Sequence, residues 1–150
     1  MIKYLIITFI TLLMSTSSAR TQQVIDGDTL QIGDKRYRIF GIDAPEKNQI
    51  CSTNNYEWKC GLVATSELIK IVAGKKIKCE KKNIDRYNRI VAICFAEGRD
   101  IGKEMVSSGW ALSYRKYSID YIKDEEIAKS KKYGLWSSKF IEPWHWRELK

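Results

Sequence analysis

Residues Gln22–Glu46 read QQVIDGDTLQIGDKRYRIFGIDAPE. Within this stretch Gln22–Ile25, Thr29–Ile32 and Arg36–Ile42 are short runs rich in β-branched and aromatic residues, separated by Asp26-Gly27 and Gly33-Asp34. Gly and Asp supply the backbone conformations that tight turns need, so the pattern predicts strands joined by turns. Two further runs, Lys76–Lys82 and Arg89–Ala96, flank Asp85-Arg86-Tyr87-Asn88 and predict a hairpin. Helical spacing occupies the remaining segments. Gly61–Ala73 sets Leu62, Thr65, Leu68, Ile69 and Val72 on one face and stops at Gly74; Asp100–Ser108 begins on a capping Asp and stops at Gly109; Ser118–Tyr133 is amphipathic and stops at Gly134. Five strands and three helices in this order predict an α+β fold, a small barrel with helices packed on it.

The chain of 150 residues carries 26 Lys plus Arg, 18 Asp plus Glu, one His and four Cys, for a formal charge of +8. One histidine excludes a two-histidine acid–base pair and a histidine-rich catalytic zinc site, so chemistry falls to carboxylates, arginines or a metal they bind. Lys3, the apolar run Tyr4–Met14 and the small residues Ser15–Ala19 have the layout of a secretory signal, and eleven apolar residues are too few to span a bilayer. Cleavage after Ala19 is expected, giving a signal segment at 1–19 and a basic exported domain at 20–150 with no stable membrane association. In an oxidising compartment an even set of cysteines without a CxxC pair favours disulfides over zinc. Three pairings are possible. A two-residue turn at Arg86-Tyr87 sets Cys79 opposite Cys94, which leaves Cys51 to join Cys60 across one loop.

Charge is concentrated in Ile25–Thr29, Arg38–Glu46 and Asp85–Arg89. Oxygen ligands of this kind suit a hard cation such as calcium, and arginine forks match phosphate oxygens. A cation and two arginines on one phosphate would neutralise it as it becomes pentacoordinate, with a further carboxylate to activate water.

The segments IDGDT at 25–29, YRIFGIDAPE at 37–46, DRYNR at 85–89, SGWA at 108–111, GLW at 134–136 and PWHWR at 143–147 together resemble the thermonuclease family, the staphylococcal and micrococcal nuclease-like proteins. The resemblance runs from about Gln22 to Arg147. It implies a five-stranded OB-fold β-barrel with three packed helices, and calcium-dependent hydrolysis of DNA and RNA to 3′-phosphate products. It also implies Asp28, Asp43 and the carbonyl of Ala44 as ligands of Ca2+, Glu46 as the water-activating base, and Arg38 and Arg89 as the phosphate-binding pair. Asp26 would shape the pocket edge, and Tyr87, Tyr114 and Tyr117 would contact the nucleotide. Ala44 stands where the type enzyme has threonine, which spares a main-chain ligand, and Asn88 replaces a turn glycine, whose left-handed conformation Asn tolerates. Lys47–Cys60 does not match the type enzyme's loop.

Side-chain alternation adds a geometric expectation. A two-residue turn at Gly33-Asp34 would turn Arg38 away from Asp28, so a shared phosphate predicts an odd-length loop, Gly33-Asp34-Lys35, or a bulge. Trp110, Trp136 and His145 read as packing residues, and Lys123, Lys129, Lys131 and Lys132 as a solvated face. A competing reading is a catalytically inactive OB-fold protein that binds single-stranded nucleic acid; another is an exported surface-interaction protein. An anion binder would lose affinity by keeping Asp28, Asp43 and Glu46 in its cleft, which favours the enzyme. A monomer is expected.

Overall fold

The computed structural model describes residues 21–149, so the signal segment expected at 1–19 lies outside the described residues. Strands β1 (Gln22–Asp26), β2 (Thr29–Ile32) and β3 (Lys35–Ile39) form an antiparallel meander, followed by the short strands β4 (Ile42–Asp43), β5 (Cys51–Ser52) and β6 (Glu57–Trp58). Helix α1 (Cys60–Val72), the hairpin β7 (Ile77–Ile84) and β8 (Ile90–Ala96), β9 (Arg99–Asp100), α2 (Ile101–Ser107), β10 (Leu112–Ser113), α3 (Ile122–Ser130) and α4 (Pro143–Glu148) complete the chain. The main sheet runs β1-β2-β3-β8-β7, with β3 and β8 parallel and the other neighbours antiparallel. The expected α+β architecture is present, with one helix more than the sequence reading gave. Among the described residues no helix is long and apolar enough to cross a membrane.

Two apolar clusters hold the elements together. The larger combines Leu30, Ile39, Ala92, Cys94 and Ala96 of the sheet with Leu68 and Val72 of α1 and Ile101, Met105 and Val106 of α2. The smaller gathers Cys51, Cys60, Leu112 and Leu135 under Trp58, Trp136, Phe140 and Trp144, and Trp110 packs against both. Trp110 and Trp136 therefore pack as expected. His145 does not, since its side chain is exposed and its Nδ1 lies 3.3 Å from Glu142 Oε2.

Helix α1 is turned from its expected face. Ala64, Thr65, Leu68 and Val72 are buried, whereas Leu62 and Ile69 are 42% and 49% exposed. Backbone contact decides the rotation, because a Cβ on Gly61 would overlap the carbonyl of Glu46 and one on Gly27 would come within 3.2 Å of the Ala64 Cβ. The small-residue face therefore meets the β1–β2 turn and the loop after β4, which α1 could not do with Leu62 beneath it. The third helix is shorter than expected, because residues 114–121 form turns and Lys132 and Gly134 take positive φ.

Both disulfides have the expected partners, with Cα separations of 5.6 Å for Cys51–Cys60 and 4.1 Å for Cys79–Cys94. The turn that aligns the second is different from the expected one. Asp85 pairs with Arg89 around the three residues Arg86, Tyr87 and Asn88, and Asn88 takes φ +60°. A register shift between Lys81 and Asn83 adds one residue to β7 and offsets the odd turn, so Cys79 still faces Cys94. At the β2–β3 turn the expected odd loop is absent: Ile32 pairs with Lys35 across Gly33-Asp34, and no shift interrupts this pair of strands.

Candidate active site

Arg38 and Asp28 meet despite that register. Asp28 precedes β2 in the turn that follows Asp26, outside the regular strand, so strict alternation does not govern its side chain. The N–H of Ala44 donates to Asp28 Oδ2 at 2.9 Å and the Thr29 hydroxyl donates to Oδ1 at 3.0 Å, which aims the carboxylate toward the loop after β4. Arg38, paired with Thr29 on the adjacent strand, has the reach to follow. Its Nη2 lies 3.1 Å from Asp28 Oδ2 and 2.9 Å from Asp43 Oδ1. Gly41, at φ +75°, makes the corner between β3 and β4 and brings Asp43 back beneath Arg38.

Asp28 is 7% exposed and Asp43 is 0% exposed. Burying two carboxylates is costly unless counter-charge and hydrogen bonds compensate. The compensation here is incomplete. Burial pushes the Asp43 carboxyl up to about 6 even though Arg147 and Arg38 oppose the rise, and the charge of Asp28 adds to it. Asp26, whose Oδ1 accepts from the Asp28 N–H, is pushed up to about 7 by burial and then by the Asp28 charge. Burial is the first cause of both rises, and the Asp28 charge adds to each.

The other expected residues lie around this centre. Glu46 follows on the same loop, with its Oε1 2.9 Å from Arg147 Nη1. Arg89 stands one side chain away, its Nη1 3.5 Å from the Thr29 hydroxyl, with its Nε 2.8 Å from Asp85 Oδ2. Asp85 also accepts from the N–H groups of Tyr87 and Arg89, so one carboxylate shapes the turn and orients the guanidinium. Burial would raise the Asp85 carboxyl, but the Arg89 hydrogen bonds outweigh it and hold it below the ordinary 3.8. Tyr87 is exposed, with the Arg86 and Arg89 guanidiniums 4.9 and 5.4 Å from its ring. Tyr114 and Tyr117 form a separate group, edge to face at 4.9 Å, and Tyr114 stacks on Trp144 at 5.4 Å. The three tyrosines therefore do not share one contact cluster.

Two residues of the site escaped the sequence reading. Arg147 reaches from α4 to Asp43, with Nη2 to Oδ2 at 2.8 Å and Nη1 to Oδ1 at 3.1 Å. Pro143 after Glu142 is a helix-start signal that could have suggested α4. Gln49 is fully buried; its Oε1 accepts from the Glu46 N–H at 3.2 Å and its Nε2 donates to the Ile141 carbonyl at 2.6 Å. No local pattern announces that role.

The donor set suits a hard cation in part. Asp28 Oδ2 and Asp43 Oδ1 already converge on a single positive centre, Arg38 Nη2. Among the described residues no group of three His, Cys, Asp or Glu side chains forms a metal cage. Two carboxylates and a carbonyl would leave the remaining positions to water and phosphate oxygens, a habit calcium tolerates.

Residues 36–138 match the model of the staphylococcal nuclease homologue family. An uncharacterized endonuclease of Haemophilus influenzae is 34% identical over 139 residues, covering 87% of this chain and 73% of that protein. An uncharacterized endonuclease of Escherichia coli is also 34% identical over 139 residues, covering 85% of that protein. The succinoglycan biosynthesis protein ExoI of Rhizobium meliloti is 34% identical over 117 residues, and this chain spans 61% of its length. With the family model covering more than half of the sequence, the chain belongs to the staphylococcal nuclease homologue family.

Proposed function

We propose that this protein is an exported, calcium-dependent nuclease that hydrolyses phosphodiester bonds of DNA and RNA and leaves 3′-phosphate ends. The observation that carries the reading is the convergence of two buried carboxylates, Asp28 and Asp43, on Arg38 beside the carboxylate of Glu46, in a chain of net charge +8. A fold that only bound polyanions would gain nothing from burying acid at its basic surface. The two disulfides fit an oxidising compartment and so favour export.

In this mechanism Arg38 and Arg89 bracket the scissile phosphate and donate to its non-bridging oxygens. Glu46 accepts a proton from water, whose oxygen forms the new bond to phosphorus opposite O5′. The P–O5′ bond then breaks and O5′ takes up a proton, leaving a 5′-hydroxyl and a 3′-phosphate. The arginines balance the extra negative charge that develops on the phosphate oxygens. Calcium held by Asp28, Asp43 and the Ala44 carbonyl would supply further positive charge at those oxygens. The nucleotide-contact roles of Tyr87, Tyr114 and Tyr117 belong to the same proposal, Tyr87 from the Arg89 side and the other two from the α4 side.

Digestion of labelled single-stranded DNA and RNA in calcium or in excess chelator tests this reading, with end groups read by phosphatase-dependent primer extension. Cleavage is expected in calcium alone, with extension only after phosphatase treatment. Equal cleavage in chelator, or products that extend without phosphatase, would overturn it.

A further inference from the structure

Arg147 ties α4 to the acidic pocket and uses both groups that the proposed mechanism needs free. Its fork takes both oxygens of Asp43, at 2.8 and 3.1 Å, while Nη1 also holds Glu46 Oε1 at 2.9 Å. Asp43 Oδ1 is shared with Arg38, but Oδ2 has Arg147 as its guanidinium partner. A bidentate guanidinium lies in the plane of the carboxylate and fills the space beyond its two oxygens. A divalent cation on Asp43 would meet that space occupied by like charge.

Of the two arginines, Arg147 is the one able to leave. Arg38 sits in β3, its side chain 13% exposed, with Nη1 donating to the Ile39 carbonyl and Nη2 also held by Asp28. Arg147 is 39% exposed at the side chain, on a six-residue helix. That helix meets the rest of the site through the Tyr114–Trp144 stack. Its segment enters through the Ile141 carbonyl that Gln49 holds.

We infer that Arg147 is a built-in counter-ion of the cation site, which fills Asp43 and Glu46 in the cation-free chain and withdraws from Asp43 when a divalent cation binds. The inference rests on the reading that Asp28 and Asp43 hold that cation. It makes Arg147 a further residue of the site with two effects. Competition lowers cation affinity, and the same withdrawal releases Glu46, so the base becomes available only in the loaded site. Trp144 and Trp146 lie on the same helix as the moving residue and make the step visible without any substrate.

The test uses the full exported chain and calcium chloride alone, read by calorimetry, by tryptophan fluorescence and by hydrogen exchange of residues 143–148. Arg147→Met keeps an unbranched stem and removes the guanidinium; Arg147→Gln is a second version should the first fold poorly by circular dichroism. Calcium should bind either variant about tenfold more tightly than wild type. In wild type it should also change the fluorescence and lower exchange protection across α4, changes absent from the variants. Equal or weaker calcium binding by both variants, or unchanged α4 protection in calcium-saturated wild type, overturns the counter-ion role and leaves the cation reading intact. Calcium binding that Asp43→Asn does not weaken overturns the cation reading, and this inference falls with it.

Discussion

Replacing Gln49 by Met separates positioning from chemistry, because the two side chains have similar length and volume and only hydrogen bonding is lost. Gln49 is wholly buried and joins three segments. Its side chain holds the Glu46 N–H and the Ile141 carbonyl, while its main chain donates to the Glu46 carbonyl and accepts from the Gly61 N–H. Gln49→Met keeps the two main-chain bonds and orphans two backbone groups in partly buried surroundings. At about 1 kcal/mol each, the loss is about 2 kcal/mol. With an urea slope of roughly 2 kcal/mol/M for a domain of this size, the unfolding midpoint falls by about 1 M with the slope unchanged. The Glu46 loop and the approach to α4 both loosen, while the arginines on β3 and the hairpin stay in place. Turnover should therefore fall about tenfold with KM altered less than about twofold. Urea denaturation and steady-state cleavage of a short DNA measure both quantities. A midpoint within about 0.2 M of wild type would refute the energetic argument. A lowered midpoint with full turnover would refute the claim that Gln49 positions Glu46.

Three further outcomes follow from the hairpin and the bridges. Replacing Cys79 and Cys94 by Ser removes a link across 15 residues of sequence separation. It should cost about 3 kcal/mol by denaturant unfolding, with the specific activity of folded molecules retained because the ladder around Cys79 and Cys94 persists. Asn88 stands at φ +60°, so Asn88→Val should destabilise the tip by about 1–2 kcal/mol and reduce cleavage through misplaced Arg89, whereas Asn88→Gly should be near neutral. Asp85 has its carboxyl held below 3.8. Its contribution is therefore complete above that unfolded value and is lost as pH falls through the lower folded one. Urea midpoints between pH 5 and pH 2 should drop more steeply for wild type than for Asp85→Asn; parallel curves would count against that ion pair.

The architecture was legible where local chemistry and tertiary demand agree. Gly-Asp punctuation located β1, β2 and the start of β3, and the Asp100 cap located α2, because turns and caps are decided by a few neighbouring residues; the run Arg36–Ile42 is not one strand, since Gly41 at φ +75° breaks it into β3 and β4. The Cys79–Cys94 bridge was placed on a turn that the chain does not use, yet the bridge itself stands, since the three-residue loop and the extra residue at β7 compensate. Alternation suggested that Arg38 and Asp28 needed an odd loop. That loop is unnecessary because Asp28 is a turn residue rather than a strand residue, and its carboxylate is directed by hydrogen bonds from the Ala44 N–H and the Thr29 hydroxyl. The face of α1 was misjudged for a related reason: periodicity records which residues are apolar, whereas the close approach of Gly61 to the Glu46 backbone decides which side can fit. Gln49 and Arg147 act across 92 and 104 residues of sequence, at Ile141 and Asp43 respectively. No short-range pattern encodes such partners, and Arg147 lies beyond the matched family segment 36–138.

The central claim is that Glu46 activates water beside a phosphate held by Arg38 and Arg89. Its most direct test is the single-turnover cleavage rate of Glu46→Gln on single-stranded DNA at saturating calcium, with substrate binding followed separately. The amide keeps the shape of the side chain, but it cannot take a proton. The account predicts a rate at least about 100-fold below wild type with DNA affinity preserved. A rate within about threefold of wild type would contradict it.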